Sequence, residues 1–458
     1  MINTNIAQQS IQHTDEQKAA IDKMKKFLRG GFPEEYEFSL IGAAGTGKTT
    51  ILKEVVKGYP RSIVLGATVS HAAKNVLHDS AGHWMRCFTI AKLLGLKPDV
   101  NKQTGKQIFI PDNNRKNAPP VTEAKILIID ECSMIDASLH QLIRESVMED
   151  TYIIYSGDKF QLPPVDESEE HIASPTFDCN LKAELTVPMR FDNIIGESAL
   201  FYRETINIYN YYKGINVASF NNWRPVKTNG ESSIEFTHDY NYFINKSLNF
   251  FYHDRKNTRM LAYRNYTIDM LNNYIRAQFY PYHDDLYVAG EYIITNKPYG
   301  EHVYNGEIFY ISDVDIGYIK APILEPKENV NGYKIVDKPI KVYLLEIKYR
   351  QEDEEYIDEL PIVHQDAKET YDGIRQYMIE VAKENKNWWK RYYEFLNTFA
   401  DVSKTYVTST HKAQGQSIDN VFVMANDIIA TQRIPLKVKL QSLYVAVTRA
   451  RKHLTVLI

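Results

Sequence analysis

One eight-residue segment constrains the fold of this chain more than any other feature. Residues 42–49 read GAAGTGKT and match the pattern G-x-x-x-x-G-K-[ST] in full. The run before the segment, EFSLI, is typical of a strand, and the run after it, TTILKEVV, has the apolar spacing of a helix. A strand, a glycine-rich loop and a helix in this order predict a P-loop, in which backbone N–H groups wrap phosphates beside a helix N-terminus.

The residue types of this loop predict how it binds a nucleotide. The ammonium group of Lys48 would neutralise the β- and γ-phosphates, and the hydroxyl of Thr49 would ligate magnesium. The sequence therefore predicts ATP and Mg²⁺ as cofactors. The residues that we expect to bind the nucleotide are Gly42, Ala43, Ala44, Gly45, Thr46, Gly47, Lys48, Thr49 and Thr50.

Two consecutive carboxylates, Asp130 and Glu131, follow a second strand-like run, KILII. P-loop proteins hold magnesium at the end of such a strand, so we predict Asp130 as a second metal ligand. Glu131 can orient and deprotonate the attacking water, which makes it the predicted catalytic base. The alternative is a polar strand exit without chemistry, which the P-loop upstream disfavours.

A third strand-like run, TYIIYSGD, places Gln161 and Pro163 just after its end. Parallel α/β sheets bind ligands at this position. Gln161 is a neutral donor that can sense the γ-phosphate, and the prolines would stiffen the loop that carries the signal. A simple turn accounts for the same residues equally well.

Two arginines are candidates for a cation that reaches the γ-phosphate from another lobe, as phosphoryl transfer favours. Arg190 follows ELTVPM, and Arg449 lies in LYVAVTRARKH near the C-terminus. A surface arginine is the ordinary alternative for each. Only a cleft between two lobes would give both a role.

The spacing of strand-like and helix-like runs predicts two α/β lobes with two insertions. The first lobe comprises residues 1–94 and 123–185, and residues 95–122 form an inserted β-hairpin with its turn near Gln103–Lys106. The second lobe comprises residues 186–289 and 402–458. Residues 290–401 form a small β unit, signalled by an Asn305-Gly306 turn, with an aromatic-rich helix after it.

Charge and hydropathy restrict the setting in which the chain works. The formal net charge of -4 argues against binding nucleic acid by bulk charge, so such contacts must be local. No apolar run approaches the roughly 20 residues that cross a bilayer, and the polar start MINTNIAQQS lacks a signal-peptide core. We expect a cytoplasmic protein, in the host cytoplasm if a phage encodes it, with no membrane partner.

The order of the motifs resembles the superfamily 1 helicases, in the RecD/Pif1-like branch, over nearly the whole chain. The segments that carry the resemblance are TDEQKAAI, GAAGTGKTT, SHAAKNVL, TIAKLLGL, IIDECSM, SGDKFQLPPV, ELTVPMR, TSTHKAQGQSIDNVFV and LYVAVTRARKHL. The resemblance implies two RecA-like lobes, an SH3-like β unit, and ATP-driven movement along single-stranded DNA, 5′-to-3′, with unwinding at single-strand/duplex junctions. It also implies work as a monomer in DNA replication or recombination, alongside proteins of those processes.

The resemblance further implies roles for individual residues. Gln17 would read adenine, whereas Lys48, Thr49, Asp130 and Glu131 would form the ATPase centre, and Gln161, Arg190 and Arg449 would couple it to movement. The hairpin would split the duplex. The residues implied at the nucleic-acid strand are Thr68, Ser70, His71, Thr89, Phe109, Pro163, Thr410 and His411.

The chain departs from the family pattern at two places, and two rival functions stay open. Relatives commonly carry Pro-Thr-His-Ala-Ala where this chain has Val69-Ser70-His71-Ala72-Ala73, so Ser70 must supply the hydroxyl contact or the contact is altered. The hairpin is longer and rich in Lys and Asn, and Phe109 is either its base-stacking tip or a core aromatic. The rivals are a translocase that displaces bound proteins without efficient unwinding, and a P-loop NTPase that is no motor.

Overall fold

Three larger sheets and one two-stranded hairpin organise the part of the chain that the computed structural model describes. That part comprises residues 13–43, 45–81, 84–100, 107–112, 117–164, 173–186, 194–212, 227–228, 232–300, 302–328, 332–351, 354–432 and 434–458. The elements of the first lobe are α1 (Asp15–Leu28), β1 (Glu37–Gly42), α2 (Lys48–Val56), β2 (Val64–Thr68), α3 (His71–Ala81), β3 (Arg86–Thr89), α4 (Ile90–Leu93), β4 (Leu96–Val100), β5 (Gln107–Pro111), β6 (Ile126–Ile129), α5 (Ala137–Ser146), β7 (Tyr152–Gly157) and β8 (Leu181–Leu185).

The first lobe is a six-stranded parallel sheet in the order β3-β2-β6-β7-β1-β8. Strand β6, Ile-Leu-Ile-Ile, is buried along its whole length, as a central parallel strand covered on both faces must be. Ile126 and Ile128 pack with α1 and α2 on one face, and Leu127 and Ile129 pack with α5 on the other. The parallel order brings the carboxyl ends of β1, β6 and β7 to one edge, where the P-loop lies.

The second lobe is a six-stranded sheet in the order β17-β11-β18-β19-β10-β9, parallel except for its last pair. Two apolar clusters lie on its two faces, one with α6 and α12 and one with α7 and α8. Its elements are α6 (Ile194–Tyr212), β9 (Lys227–Thr228), β10 (Ser233–Thr237), α7 (Tyr240–His253), β11 (Thr258–Ala262), α8 (Asn265–Phe279), β17 (Val407–Ser409), β18 (Ile418–Met424), α11 (Ala425–Ala430), α12 (Leu436–Thr448) and β19 (Ala450–Leu457).

An antiparallel sheet in the order β15-β14-β13-β12-β16 is inserted between α8 and β17, and we call it, with its helices, the β unit. Strands β13 and β14 form a long hairpin against which both helices pack, as the aromatic-rich sequence predicted. Its elements are β12 (Tyr292–Thr295), β13 (Ile308–Pro326), β14 (Tyr333–Gln351), β15 (Glu354–Val363), α9 (Lys368–Glu384), α10 (Trp389–Asn397) and β16 (Val402–Lys404).

The expectation of one continuous helix after the β strands is wrong. Asn385 leaves the helical conformation, with φ -133 and ψ 102, and its side chain accepts a hydrogen bond from the backbone of Asn387. Asparagine favours such local bonds over helix continuation, so the chain breaks into α9 and α10.

The predicted fold class, α/β with two lobes built on parallel sheets, is confirmed. The residue boundaries that we assign to the domains stay predictions. Among the residues that the structure describes, none of the helices combines the length and the apolar character that crossing a membrane requires.

Candidate nucleotide site and strand-binding face

The P-loop joins β1 to α2 through two glycines in the left-handed region. Gly45 has φ +79 and Gly47 has φ +84, backbone conformations that residues with a Cβ atom rarely adopt. Thr46 is fully buried and donates from its hydroxyl to the carbonyl of Ala43, 2.9 Å away. This bond joins the two sides of the loop; Ala44, between them, lies outside the described residues.

Lys48 is the first residue of α2, and its ammonium group points back into the loop. Its Nζ donates to the carbonyls of Gly42 at 2.7 Å and Ala43 at 3.0 Å. Thr49 beside it is half-buried, and Thr50 is exposed. The ammonium group thus lies at the mouth of the loop, where a phosphate could take the place of the two carbonyls.

The two carboxylates after β6 lie at the same edge of the sheet. Asp130 accepts a hydrogen bond from the Ser156 hydroxyl at 2.7 Å. Glu131 adopts φ +53, one of two described non-glycine residues with positive φ, and its Oε2 is buried without a hydrogen-bond partner. Strained backbone and an orphaned buried oxygen are features that persist at functional sites.

Burial raises the pKa of Glu131, and the charge of Asp130 raises it further. The positive charges of Arg449 and Lys48 act in the opposite direction. The carboxylate of Glu131 therefore interacts with one cation from each lobe, Lys48 at the P-loop and Arg449 at the C-terminal end of α12.

In the described part of the chain, no group of three or more His, Cys, Asp and Glu residues could hold a metal ion.

Gln161 lies at the boundary between the two lobes and is buried. Its Oε1 accepts from the Nε2 of Gln414 at 3.1 Å, and its backbone carbonyl accepts from the Nε2 of Gln441 at 2.8 Å. The Nε2 of Gln414 also donates to the hydroxyl of Ser133, 3.1 Å away and two residues beyond Glu131. One glutamine of the second lobe therefore bonds to both nucleotide-site loops of the first.

A second buried contact between the lobes joins Asp158 to Tyr444. The phenol of Tyr444 on α12 donates to Oδ2 of Asp158 at 2.5 Å, and both residues are buried. Burial raises the pKa of Tyr444 well above its ordinary value, and the charge of Asp158 adds to the effect. Phe160 and Leu162, from the same loop as Asp158, pack into apolar clusters of the second lobe.

Arg449 is buried at the C-terminal end of α12, close enough to Glu131 for their charges to interact. Its guanidinium donates to the Val445 carbonyl at 3.1 Å, the Gln416 carbonyl at 3.1 Å and the Thr448 hydroxyl at 3.0 Å. Three bonds within its own lobe aim this cation at the nucleotide site. Arg190, the other candidate, lies outside the described residues.

Gln17 packs against the P-loop rather than projecting into an open cleft. Its Nε2 donates to the carbonyl of Thr46 at 3.0 Å, and its Oε1 accepts from the backbone of Thr14 at 3.1 Å. The same residues form the capping box that begins α1. Both polar atoms of the amide therefore have protein partners, and one N–H is left to meet an adenine.

All but one of the residues predicted at the nucleic-acid strand lie at or just after the carboxyl ends of strands in the two lobes, and the exception is Phe109. In the first lobe, the Thr68 hydroxyl donates to the backbone carbonyl of Ser70. The Ser70 hydroxyl caps α3 by accepting from the N–H of Ala73, and the Thr89 hydroxyl caps α4. Ser70 is thus a helix cap as well as a candidate contact. Pro163 is half-buried beyond β7.

In the second lobe, Thr410 is buried and donates to the carbonyl of Ala262, while His411 lies edge-on to the ring of Tyr263. Both residues follow β17, and Tyr263 follows the neighbouring β11. The two loops therefore share one edge of the second sheet.

Phe109 lies in β5, opposite Pro98, rather than in the turn of the hairpin. The tip assignment is wrong, because Phe109 pairs within the strands of the hairpin. The turn that we expect near Gln103–Lys106 lies outside the described residues. The side chain is 58% exposed, so the alternative of a core aromatic is wrong too.

The residues that sequence reasoning missed are those that join the lobes: Ser133, Gln414, Gln441 and Tyr444. Gln414 lies within a quoted motif, THKAQGQS, but only its first two residues received a role. Gln414 directly precedes Gly415, which has φ +77, but nothing in the sequence distinguishes this glutamine from one that faces solvent.

Comparison with known proteins agrees with this architecture. A family model described as "AAA domain" matches residues 13–199, and one described as "UvrD-like helicase C-terminal domain" matches residues 404–457. The ATP-dependent DNA helicase Dda of Enterobacteria phage T4 is 27% identical over 96% of this chain and 97% of its own length.

One further relative and one solved structure show weaker similarity. The RecD subunit of the RecBCD enzyme from Buchnera aphidicola (subsp. Schizaphis graminum) is 23% identical over 91% of this chain and 69% of its own. The structure of a Bacteroides Pif1 bound to single-stranded DNA covers 97% of this chain and 92% of its own, with 15% identity and a TM-score of 0.48. In its sequence matches and in the order of its motifs, the chain is similar to helicases of the RecD/Pif1-like branch of superfamily 1.

Proposed function

We propose that the chain hydrolyses ATP to move along single-stranded DNA, and that it separates a duplex ahead of it. The observation that carries the proposal is the hydrogen bond between Gln161 and Gln414. Gln161 follows a strand of the nucleotide site, and Gln414 lies on the loop that begins with Thr410 and His411. A change at the nucleotide is thereby linked to a change at the strand. The relative from phage T4, named an ATP-dependent DNA helicase, supports the same activity.

The nucleotide site fits Mg²⁺ and ATP in its donor set. Lys48 aims an ammonium group into the P-loop, and Glu131 keeps a buried oxygen without a partner. Thr49 and Asp130 would hold the ion, with phosphate oxygens and water completing the shell that Mg²⁺ prefers. When bound, magnesium-ATP supplies the phosphoanhydride bond whose hydrolysis drives the cycle.

The chain's own residues divide the hydrolysis between the two lobes. Glu131 orients the attacking water and accepts its proton, since its unpartnered Oε2 is free to receive one. Lys48 from the first lobe and Arg449 from the second stabilise charge on the γ-phosphate. Because Arg449 belongs to the other lobe, this stabilisation requires the lobes to be closed.

Closure and opening would then move the two lobes relative to a strand lying across both. Loss of the γ-phosphate removes the group that Lys48 and Arg449 share, so the closed arrangement loses part of its stability. Alternating grip by the loops near His71 and His411 makes each displacement directional. The family resemblance supports 5′-to-3′ travel on DNA.

The test of the nucleotide site is Lys48→Ala. We expect loss of strand-stimulated ATP hydrolysis with retained strand binding, because the ammonium group acts on phosphates and the strand-binding loops are elsewhere. Lys53→Ala on the exposed face of the same helix is the matched control and should hydrolyse ATP normally. Normal turnover in Lys48→Ala would remove the site assignment.

Two measurements separate the proposed activity from its rivals. ATP hydrolysis that is indifferent to single-stranded DNA or RNA would favour an NTPase that is no motor. Duplexes tailed on either side then test strand separation and polarity, and we expect unwinding from the 5′-tailed substrate. Strand-stimulated hydrolysis and displacement of bound protein, without unwinding of either substrate, would favour a translocase.

A further inference from the structure

A tight turn of the β unit reaches across to the first lobe. It comprises residues Tyr304 to Glu307 between β12 and β13, and we call it the 304–307 turn. Gly306 has φ +81, which a glycine tolerates, and its N–H donates to the carbonyl of Thr295 at 2.8 Å. The N–H of Thr295 donates to the carbonyl of Glu307 at 3.0 Å, and the N–H of Glu307 donates to the hydroxyl of Thr295 at 3.2 Å. The turn is therefore held rigidly on the sheet of the β unit.

The ring of Tyr304 lies flat on the imidazole of His71 in α3. Their centroids are 3.7 Å apart and their planes differ by 10°. Protein aromatic pairs usually prefer an edge-on or offset arrangement with wider separation, whereas bases stack flat on aromatic side chains. Burial lowers the pKa of His71 to about 4, helped by the charges of Lys74 and Lys92, so the imidazole offers a neutral ring near pH 7.

The carboxylate of Glu307 lies one turn of α3 further along, beside polar side chains. Its Oε1 accepts from the Nδ2 of Asn75 at 3.4 Å, and its Oε2 accepts from the backbone of Tyr304 at 3.2 Å. Lys74 is close enough for its charge to act on this carboxyl. An amide donor next to a lysine is the type of pair that contacts a phosphate.

We propose that the 304–307 turn mimics one nucleotide of a bound strand, with Tyr304 in the place of the base and Glu307 in the place of the phosphate. The surface that it covers is then a nucleotide subsite on α3, with the base over His71 and the phosphate at Lys74 and Asn75. The inference rests on the proposed function, because it assigns a subsite to the strand-binding face. The turn and the strand compete for this subsite, so the β unit must release α3 before the strand fills it.

The test is the affinity of the full chain, without nucleotide, for a fluorescently labelled oligothymidylate, measured by anisotropy. Tyr304→Ala removes the competing ring and leaves His71, Lys74 and Asn75 in place. We expect binding to tighten by about 2- to 10-fold, the range that one aromatic stack provides. Tyr304→Phe keeps the ring and should bind like the unaltered chain.

Tyr310→Ala is the matched control for loss of an exposed aromatic from the β unit. Tyr310 is 43% exposed on β13, and its ring contacts Tyr292 of the neighbouring strand rather than α3. Its removal should leave strand affinity unchanged. Equal tightening in this variant would show that loosening of the β unit, and not release of the subsite, causes the effect.

Glu307→Gln tests the phosphate half of the mimic with almost no change in shape, and it also serves if Tyr304→Ala fails to fold. In the unaltered chain the incoming phosphate replaces a carboxylate whose charge already acts on Lys74, so that fewer counterions are released there. In the variant a salt ion takes that place, and the slope of log K against log salt should become more negative by up to about 0.7. A purely structural role for Glu307 leaves this slope unchanged.

The outcomes separate the inference from the function on which it rests. If the unaltered chain binds strand but Tyr304→Ala binds it equally or more weakly, and Glu307→Gln leaves the salt slope unchanged, the turn is no mimic and the inference is overturned. If the unaltered chain binds no single strand at any salt concentration, the proposed function itself fails.

Discussion

Replacing Gln414 by alanine should uncouple the two lobes while leaving each of them folded. The side chain of Gln414 is 5% exposed, and its Nε2 donates to Ser133 and to Gln161, each at 3.1 Å. Neither bond supports the core of the second lobe, because both acceptors belong to the first. The substitution therefore acts on the contact between the lobes.

The magnitude follows from the two hydrogen bonds. Each contributes about 1 kcal/mol net, and the alanine variant also leaves Gln161 Oε1 and Ser133 Oγ buried without this donor. When the lobes separate, water can satisfy the same atoms, so the loss falls on the closed arrangement alone. About 2 kcal/mol corresponds to roughly a 30-fold lower ratio of closed to open molecules.

The assay is ATP hydrolysis at saturating single-stranded DNA, with thermal unfolding measured alongside. We expect kcat/KM for ATP to fall by about 10- to 30-fold with little change in unfolding temperature, since closure precedes hydrolysis. Gln416→Ala is the matched control, because its amide bonds only to the Lys412 carbonyl within the same loop. A double variant with Ser133→Ala should lose less than the sum of the single losses.

If Gln414→Ala hydrolyses ATP within about twofold of the unaltered chain, the bonds across the boundary carry no closure energy. If Gln416→Ala is impaired equally, the effect belongs to the loop and not to the contact with Gln161.

Two other predictions concern the second contact between the lobes and the hairpin. Tyr444→Phe leaves Asp158 buried without its phenol donor and should lower strand-stimulated turnover by about 10-fold or more. Tyr406→Phe is the control and should leave turnover unchanged, because the buried hydroxyl of Tyr406 has no hydrogen-bond partner. Equal turnover in both variants would contradict the role of Asp158. Phe109 is not at the tip of the hairpin, but its ring is 58% exposed on β5 and can stack on a base. Phe109→Ala should therefore lower the rate of strand separation and spare strand-stimulated ATP hydrolysis, with Ile108→Ala as the neighbouring control. Unaffected unwinding, also after the hairpin is trimmed, would place the wedge elsewhere.

The nucleotide site was predictable because its chemistry is local in sequence. The P-loop spans eight consecutive residues, and the strand that carries Asp130 and Glu131 is a continuous apolar run that is buried as β6. Backbone geometry within such a segment depends on its own glycines and apolar residues. Neighbours in sequence were therefore sufficient to predict it.

The contacts between the lobes were not predictable, because each joins residues far apart in the chain. Gln161 and Gln414 are 253 residues apart, and Asp158 and Tyr444 are 286 apart. No periodicity distinguishes a glutamine that faces another lobe from one that faces solvent. The break between α9 and α10 was missed for a different reason, since a single asparagine overrode an otherwise helical pattern.

The placement of Glu131 and Arg449 shows why closure and hydrolysis belong together in this molecule. Burial and the charge of Asp130 both raise the pKa of Glu131 and so favour its protonated form, which cannot accept a proton from water. Arg449 acts in the opposite direction, but it belongs to α12 of the second lobe and reaches Glu131 only when the lobes are in contact. Closure therefore supplies a cation that opposes the rise in the pKa of Glu131, and the same cation would meet the γ-phosphate. In an open molecule Arg449 is withdrawn from both groups, so ATP can bind without being hydrolysed until the second lobe arrives.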